Sequence, residues 1–294
     1  MFKYDRISEL VAAATKAGEK ISTLVLKDQA LALERPEADV YAQMEADFDV
    51  MCQAVVTGSD QHLKSTSGLT GGEGYKMKLY GEQKSGGLMG SFMTGAMARA
   101  LAVSGCNAAM GRIVATPTAG SCGILPGCLV SLYEEKGYAK KDLVLSMFTA
   151  AAFGLVIAQK SSIAGAQGGC QAECGSAAGM AAAALVELAG GTPQQAADAC
   201  ALAIANQLGL VCDPVAGLVE IPCIKRNVAG VTIAFSSADM ALAGLGAEIP
   251  VDECIIAMKE VGDALPCALK ETAGGGLATT PTGLRLKEQV FGRE

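Results

Sequence analysis

The segment GAQGGCQAECG, Gly165 to Gly175, sets two cysteines four residues apart in a bend rich in glycine. Thiols beside bare backbone suit an iron–sulfur cluster, because the backbone can approach a ligand closely where no Cβ intervenes. They equally suit close helix packing lined by ordinary buried cysteines. The chain has eleven cysteines, with none of the tight C-x2-C-x2-C or C-x2-C spacings of ferredoxins and zinc ribbons. The pairs that exist are Cys170 and Cys174, Cys122 and Cys128, and Cys212 and Cys223. Local context separates them. Cys170 follows Gly168 and Gly169 at an expected helix N-terminus. Cys212 stands in GLVCDPVAG, just past a helix stop at Gly209, and Cys223 stands in VEIPCIKRN after Pro222. All three are expected on loops whose N–H groups can face sulfur, a setting that favours an anionic cluster. Cys200 and Cys254 fall inside helical patterns and read as core thiols.

Other chemistries have less behind them. His62 is the only histidine and reads as a surface loop residue. No motif supports a Ser–His–Asp triad. Thr272 to Gly283, TAGGGLATTPTG, could cradle a phosphate such as that of pyridoxal phosphate, but no Walker pattern or Schiff-base lysine accompanies it. Three segments combine hydroxyls with glycine: STSGLTGG (65–72), ATPTAGSCG (115–123) and KSSIAGAQGG (160–169). Each alone would be turn chemistry, and together they lean toward a pocket for a small carboxylate.

The elements that must position these residues are helical. DRISELVAAATKA has apolar residues at helical spacing. In ADVYAQMEADFDVMCQAVVTG, Val40, Met44, Phe48, Met51 and Val55 share a face that ends at Gly58. From Thr66 to Gly95 glycine recurs so often that loops, not helices, are expected. Helices are expected again over 87–105, 143–158, 176–191, 192–209, 238–246 and 251–265, with a loop at 115–127 broken by Pro117 and Pro126. The helix from Thr192 has a clear start, with Thr192 as N-cap, Pro193 next and Gln195 third after the cap. Strand signals are nearly missing. The expected fold is all-α, a helical N-terminal segment over 1–60 and a compact helical catalytic domain over 61–294.

Composition narrows the partner classes. Hydrophobic residues make up 51% and charged residues 18%, the balance of a packed protein. The net charge of −7 leaves no basic footprint for nucleic acid. The run LVLSMFTAAAFGLVIA, Leu143 to Ala158, is shorter than the roughly 20 residues of a membrane span and reads as a core helix. The opening MFKYDRISEL has charges where a signal peptide needs an apolar run, so a cytoplasmic protein with reduced thiols is expected.

STSGLTGGEG, NAAMGRIVATPTAGSCG, AGAQGGCQAECGSAAGMAAAALVELAGGTP and NQLGLVCDPVAGLVEIPCIKRN, in that order, resemble the alpha chain of the iron–sulfur-dependent L-serine dehydratases. The resemblance covers nearly the whole chain and is strongest from Ser65 to Asn227. It implies a 4Fe–4S cluster with three cysteine ligands, which fall on Cys170, Cys212 and Cys223, and one iron left open. It implies an all-helical architecture, no pyridoxal phosphate, and a separate beta chain as partner, because the additional domain of the one-chain form is missing. Cys122 and Cys174 are not in the implied ligand set. The implied reaction converts L-serine to pyruvate and ammonia, with the open iron as Lewis acid. For the base, Lys225 and Glu173 are candidates beside ligand cysteines, and a base from the beta chain is an alternative. Substrate contacts are expected from Ser65, Ser67, Thr70, Thr116, Thr118, Ser121 and Asn227. Two alternatives stand beside this reading: an L-cysteine desulfidase of the same cluster type, and a supporting subunit with no catalysis of its own.

Overall fold

The computed structural model describes residues 3–83 and 86–292, and is all-α. Its helices are α1 (Ile7–Ala17), α2 (Ile21–Ala32), α3 (Glu37–Gly58), α4 (Glu73–Gly81), α5 (Gly90–Ala108), α6 (Ile124–Lys136), α7 (Lys140–Lys160), the single turn α8 (Gly165–Gly168), α9 (Ser176–Leu188), α10 (Pro193–Ala205), α11 (Cys223–Leu242), α12 (Val251–Ala264) and α13 (Pro281–Phe291). Among the described residues the one extended pairing is a parallel bridge between Cys212 and Lys270.

The alanine-rich helix α9 is the axis of the molecule. All its residues from Ser176 to Glu187 are buried. Small side chains let neighbouring axes come close, and α6, α7, α10 and α11 all pack on it. Gly179 faces Cys200 of α10, and Gly154 of α7 faces Met180. The apolar run of the sequence lies within α7, whose Leu143, Val144, Phe148, Phe153, Val156 and Ile157 are buried. That helix is long and apolar enough to cross a membrane, and here it is a core helix packed on α2 and α9. The N-terminal helices join the same packing. The buried carboxylate of Glu187 accepts from the Ser22 amide at 3.1 Å and the Thr149 hydroxyl at 2.7 Å, tying α2 and α7 to the end of α9.

The start of α10 forms as its sequence predicts. The Thr192 side chain accepts from the Gln195 amide at 3.2 Å, and Gln195 Oε1 accepts from the Thr192 amide at 2.9 Å. Three expectations need correction. The glycine-rich stretch holds a helix, α4, because glycine there serves close approach: Gly74 backs onto Ala102 of α5, as does Gly58 at the end of α3, leaving no room for a Cβ. (Lys84 and Ser85 of that stretch lie outside the described residues.) The expected loop over 115–127 ends early. Helix α6 starts at Ile124 and takes Pro126 into its first turn, where an N–H would have no intrahelical acceptor. The short helix expected over 238–246 is the end of α11, which begins at Cys223 and stops at Leu242.

Candidate active site

Topology gathers the singled-out cysteines. A four-residue link turns α9 into α10, and α10, α9 and α11 pack on one another. The start of α9, the end of α10 and the start of α11 therefore meet at one end of the bundle, with the α10–α11 connection between them. Cys170 opens the helix that continues into α9, through a π-helical turn at Gln171–Gly175. Such turns concentrate at functional sites. Cys223 is the first residue of α11, not a loop residue as expected. Cys212 lies in the connection, its amide donating to Leu269 O at 2.9 Å and its carbonyl accepting from the Glu271 amide at 2.8 Å. Gln171 locks the three strands of chain together: its amide donates to Leu210 O, its Oε1 accepts from the Gly209 amide, and its Nε2 donates to Gly168 O and Met258 O.

The thiols interact. The Cys170 and Cys174 sulfurs are 3.5 Å apart. Hydrogen bonds from the Cys174 and Cys212 thiols, with Arg226 alongside, hold the Cys170 thiol well below the usual cysteine range, against the opposing effect of burial. Cys174 and Cys212 are correspondingly pushed up, chiefly as donors to Cys170. Burial pushes Cys223 up to about 12, with the Cys170 charge adding to it. Arg226 donates to Val211 O at 2.8 Å and to Asp213 Oδ1 at 2.7 Å, so the cation beside the thiols is fixed in place. Asp213 in turn accepts from the Leu277 amide at 2.7 Å, which pins the glycine-rich segment near 276 against the same loop.

Two carboxylates, half-buried Glu173 and buried Glu220, organise the hydroxyl-rich loops. Glu173 Oε1 accepts from Thr118 Oγ1 at 2.7 Å, and Thr118 Oγ1 is 3.2 Å from Ser121 Oγ. Burial pushes the Glu173 carboxyl up to about 7, opposed by the Thr118 hydrogen bond. Bare backbone lies on both sides of it. A methyl group on Gly165 would sit 2.7 Å from Glu173 Oε2 and 3.0 Å from the Cys212 sulfur, and one on Gly120 would sit 3.0 Å from Glu173 Oε1. Glu220 Oε2 accepts from Ser67 Oγ at 2.9 Å and Thr70 Oγ1 at 2.8 Å, and Ser65 Oγ stands 3.3 Å from Ser67 Oγ. Glu220→Ala should release this loop. Hydrogen–deuterium exchange of the amides over 65–71 is expected to accelerate by roughly tenfold, the equivalent of about 1.4 kcal/mol of lost local protection.

The expected substrate-contact residues divide accordingly. Thr118 and Ser121 stand at Glu173, with Thr116 tied to them through its carbonyl, which accepts from Ser121 Oγ at 3.3 Å, and Ser65, Ser67 and Thr70 stand around Glu220. Thr116 Oγ1 is buried with no hydrogen-bond partner in the protein. Asn227 is fully buried, and its amide is spent on backbone: Oδ1 accepts from the Gly123 amide, and Nδ2 donates to Gly120 O and Cys223 O, each at 2.9 Å. Asn227→Ala strands these buried groups, and urea denaturation should show a loss of about 3 kcal/mol with an unchanged m-value. Lys225 is exposed. His62 is exposed beside Gln61. Glu220 and Arg226 were not singled out by sequence. Their one signal was position, three residues to either side of Cys223.

Among the described residues, no three histidine, cysteine, aspartate or glutamate side chains stand close enough to hold a single metal ion. A cluster sets a different requirement, since each thiolate binds its own iron and the ligands need only face a common space. Cys170, Cys212 and Cys223 are soft donors, 3%, 2% and 7% exposed, beside a fixed guanidinium that offsets anionic charge. The bare backbone of Gly165 stands against the Cys212 sulfur. This donor set fits an iron–sulfur group. A surface cavity of about 660 Å3, lined by residues including Val55, Lys78, Arg99 and Glu134, contains none of these thiols or hydroxyls.

The family model described as "Serine dehydratase alpha chain" matches residues 16–278. A probable L-serine dehydratase alpha chain of Bacillus subtilis is 47% identical over 290 residues, 98% of this chain and 96% of that protein. The L-serine dehydratase alpha chain of Peptoniphilus asaccharolyticus is 43% identical over 292 residues, covering 96% of this chain and 97% of its own. L-serine dehydratase 1 of Escherichia coli is 34% identical over 286 residues, 94% of this chain but 62% of the longer relative.

Proposed function

The chain belongs to the serine dehydratase alpha-chain family, and on that premise we propose that it is the alpha subunit of an L-serine dehydratase that works with a separate beta chain in the cytoplasm. In this reading it eliminates water from L-serine and yields pyruvate and ammonia. It uses a 4Fe–4S cluster held by Cys170, Cys212 and Cys223, and no pyridoxal phosphate. The observation that supports it most is the convergence of these cysteines, from three separate segments, on one buried end of the bundle beside Glu173 and Arg226. When bound, a cluster with three cysteine ligands supplies an open iron as a Lewis acid for the serine carboxylate and hydroxyl.

The protein's own residues do the rest. Arg226 keeps positive charge beside the thiolates. Glu173 is the proposed base. Thr118 holds its Oε1, and Oε2, the oxygen beside Gly165 and the Cys212 sulfur, takes the α-proton of serine. Glu173 then passes that proton to the departing hydroxide, which leaves as water, and aminoacrylate remains. It tautomerises to the imine, and hydrolysis gives pyruvate and ammonia. Lys225, exposed on the far side of the α11 first turn from the buried Cys223, is set aside as the base. Thr116, whose hydroxyl has no partner in the protein, and Ser121 are the proposed contacts for the substrate carboxylate. Ser65, Ser67 and Thr70 line the site from the Glu220 side. Asn227 serves it by fixing the 120–123 loop to α11.

The test is turnover by the anaerobically purified alpha chain combined with its beta chain, with L-serine and L-cysteine compared at equal concentration. Pyruvate from L-serine in excess is expected. Faster sulfide release from L-cysteine would favour the desulfidase reading. Undiminished serine turnover by Cys170→Ala would favour a supporting subunit.

A further inference from the structure

Cys174 is not one of the three assigned ligands, yet its sulfur lies 3.5 Å from that of Cys170 and is 1% exposed. The π-helical turn Gln171–Gly175 carries it there, and Gln207 Nε2 fixes the turn by donating to Cys174 O at 3.3 Å. A cysteine that binds iron does so as a thiolate, which has lone pairs and no hydrogen. With Cys170 as a ligand, the hydrogen in this sulfur–sulfur contact belongs to Cys174. We propose that Cys174 is a positioning residue that donates an S–H···S hydrogen bond to the Cys170 ligand and so raises the reduction potential of the cluster. The proposal rests on the ligand assignment made under Proposed function.

The physical reason is charge. A donor aimed at a ligand sulfur withdraws electron density and stabilises the reduced, more negative form of a cluster. Removing it makes the cluster easier to oxidise. The contact is also enclosed, because burial removes the water that would otherwise supply competing donors.

The experiment uses the full chain with its beta chain, purified without oxygen as wild type, Cys174→Ala, Cys174→Val and Cys174→Ser. Iron and acid-labile sulfide are assayed, the midpoint potential is followed by electron paramagnetic resonance, and bleaching of the cluster's visible absorbance is timed in air. The alanine and valine variants are expected to keep wild-type iron, shift the midpoint to more negative potential, and bleach about threefold faster or more. Valine leaves no void where the thiol was and serves if alanine impairs folding. Serine, which retains a donor, should shift less than either. Full iron with an unmoved midpoint and unchanged bleaching would overturn the proposal. So would loss of iron from the alanine and valine variants while wild type is loaded, since that would make Cys174 a ligand. Absence of iron from wild type would instead overturn the ligand assignment itself.

Discussion

Cys212→Ala is expected to strip the protein of iron and acid-labile sulfide and to lower pyruvate formation by more than about 10³-fold, while the fold survives. The expectation comes from how Cys212 is held. Its backbone is clamped on both sides, by Leu269 O and by the Glu271 amide, and neither clamp uses the side chain. Removing the sulfur therefore takes away one of three proposed ligands without releasing the segment that carries it. Helical circular dichroism should stay at the wild-type level. Cys200→Ala is the matched control. That thiol is fully buried against Gly179 of α9, nine residues along the chain from Cys170, and touches none of the proposed ligands, so its loss should cost about 1 kcal/mol of stability and no iron. Iron retained by Cys212→Ala would remove Cys212 from the ligand set.

Glu173→Gln should separate chemistry from cluster binding. The amide keeps the shape of the carboxylate and can still accept from Thr118, so iron content should not change. Proton abstraction needs the carboxylate, so kcat is expected to fall by about 10²- to 10⁴-fold with little change in KM. Lys225→Met, on an exposed side chain, should leave both constants near wild type. Near-normal turnover by Glu173→Gln would send the search for the base to the beta chain.

The all-α class was legible because helices carry their own signals. The Thr192–Pro193–Gln195 start needs no distant partner, and the face of Val40, Phe48, Met51 and Val55 repeats at helical spacing whatever packs against it. Helix α4 was not legible, because the glycines that lower its propensity, Gly74 and Gly81, are the ones that let it press against Ala102 and Thr94 of α5. At the site, backbone punctuation around Cys170, Cys212 and Cys223 drew attention to those residues. What lay beyond a one-dimensional reading was which loops meet. Glu220 serves Ser67, 153 residues away in sequence, and Asn227 serves Gly120, 107 residues away. Nothing local in VEIPCIKRN marks Glu220 or Arg226 as the side chains that turn inward, or Lys225 as the one that turns out. Asn227 is expected from the sequence as a substrate contact. In the fold its side-chain amide is bonded to the backbone of Gly120, Gly123 and Cys223.

The measurement that bears most directly on the account is iron and acid-labile sulfide in the wild-type chain purified without oxygen, alone and with its beta chain. About four of each per chain are expected, with both lost from the Cys170→Ala, Cys212→Ala and Cys223→Ala variants. A wild-type protein that turns over L-serine with no iron and no labile sulfide would contradict the account at its centre.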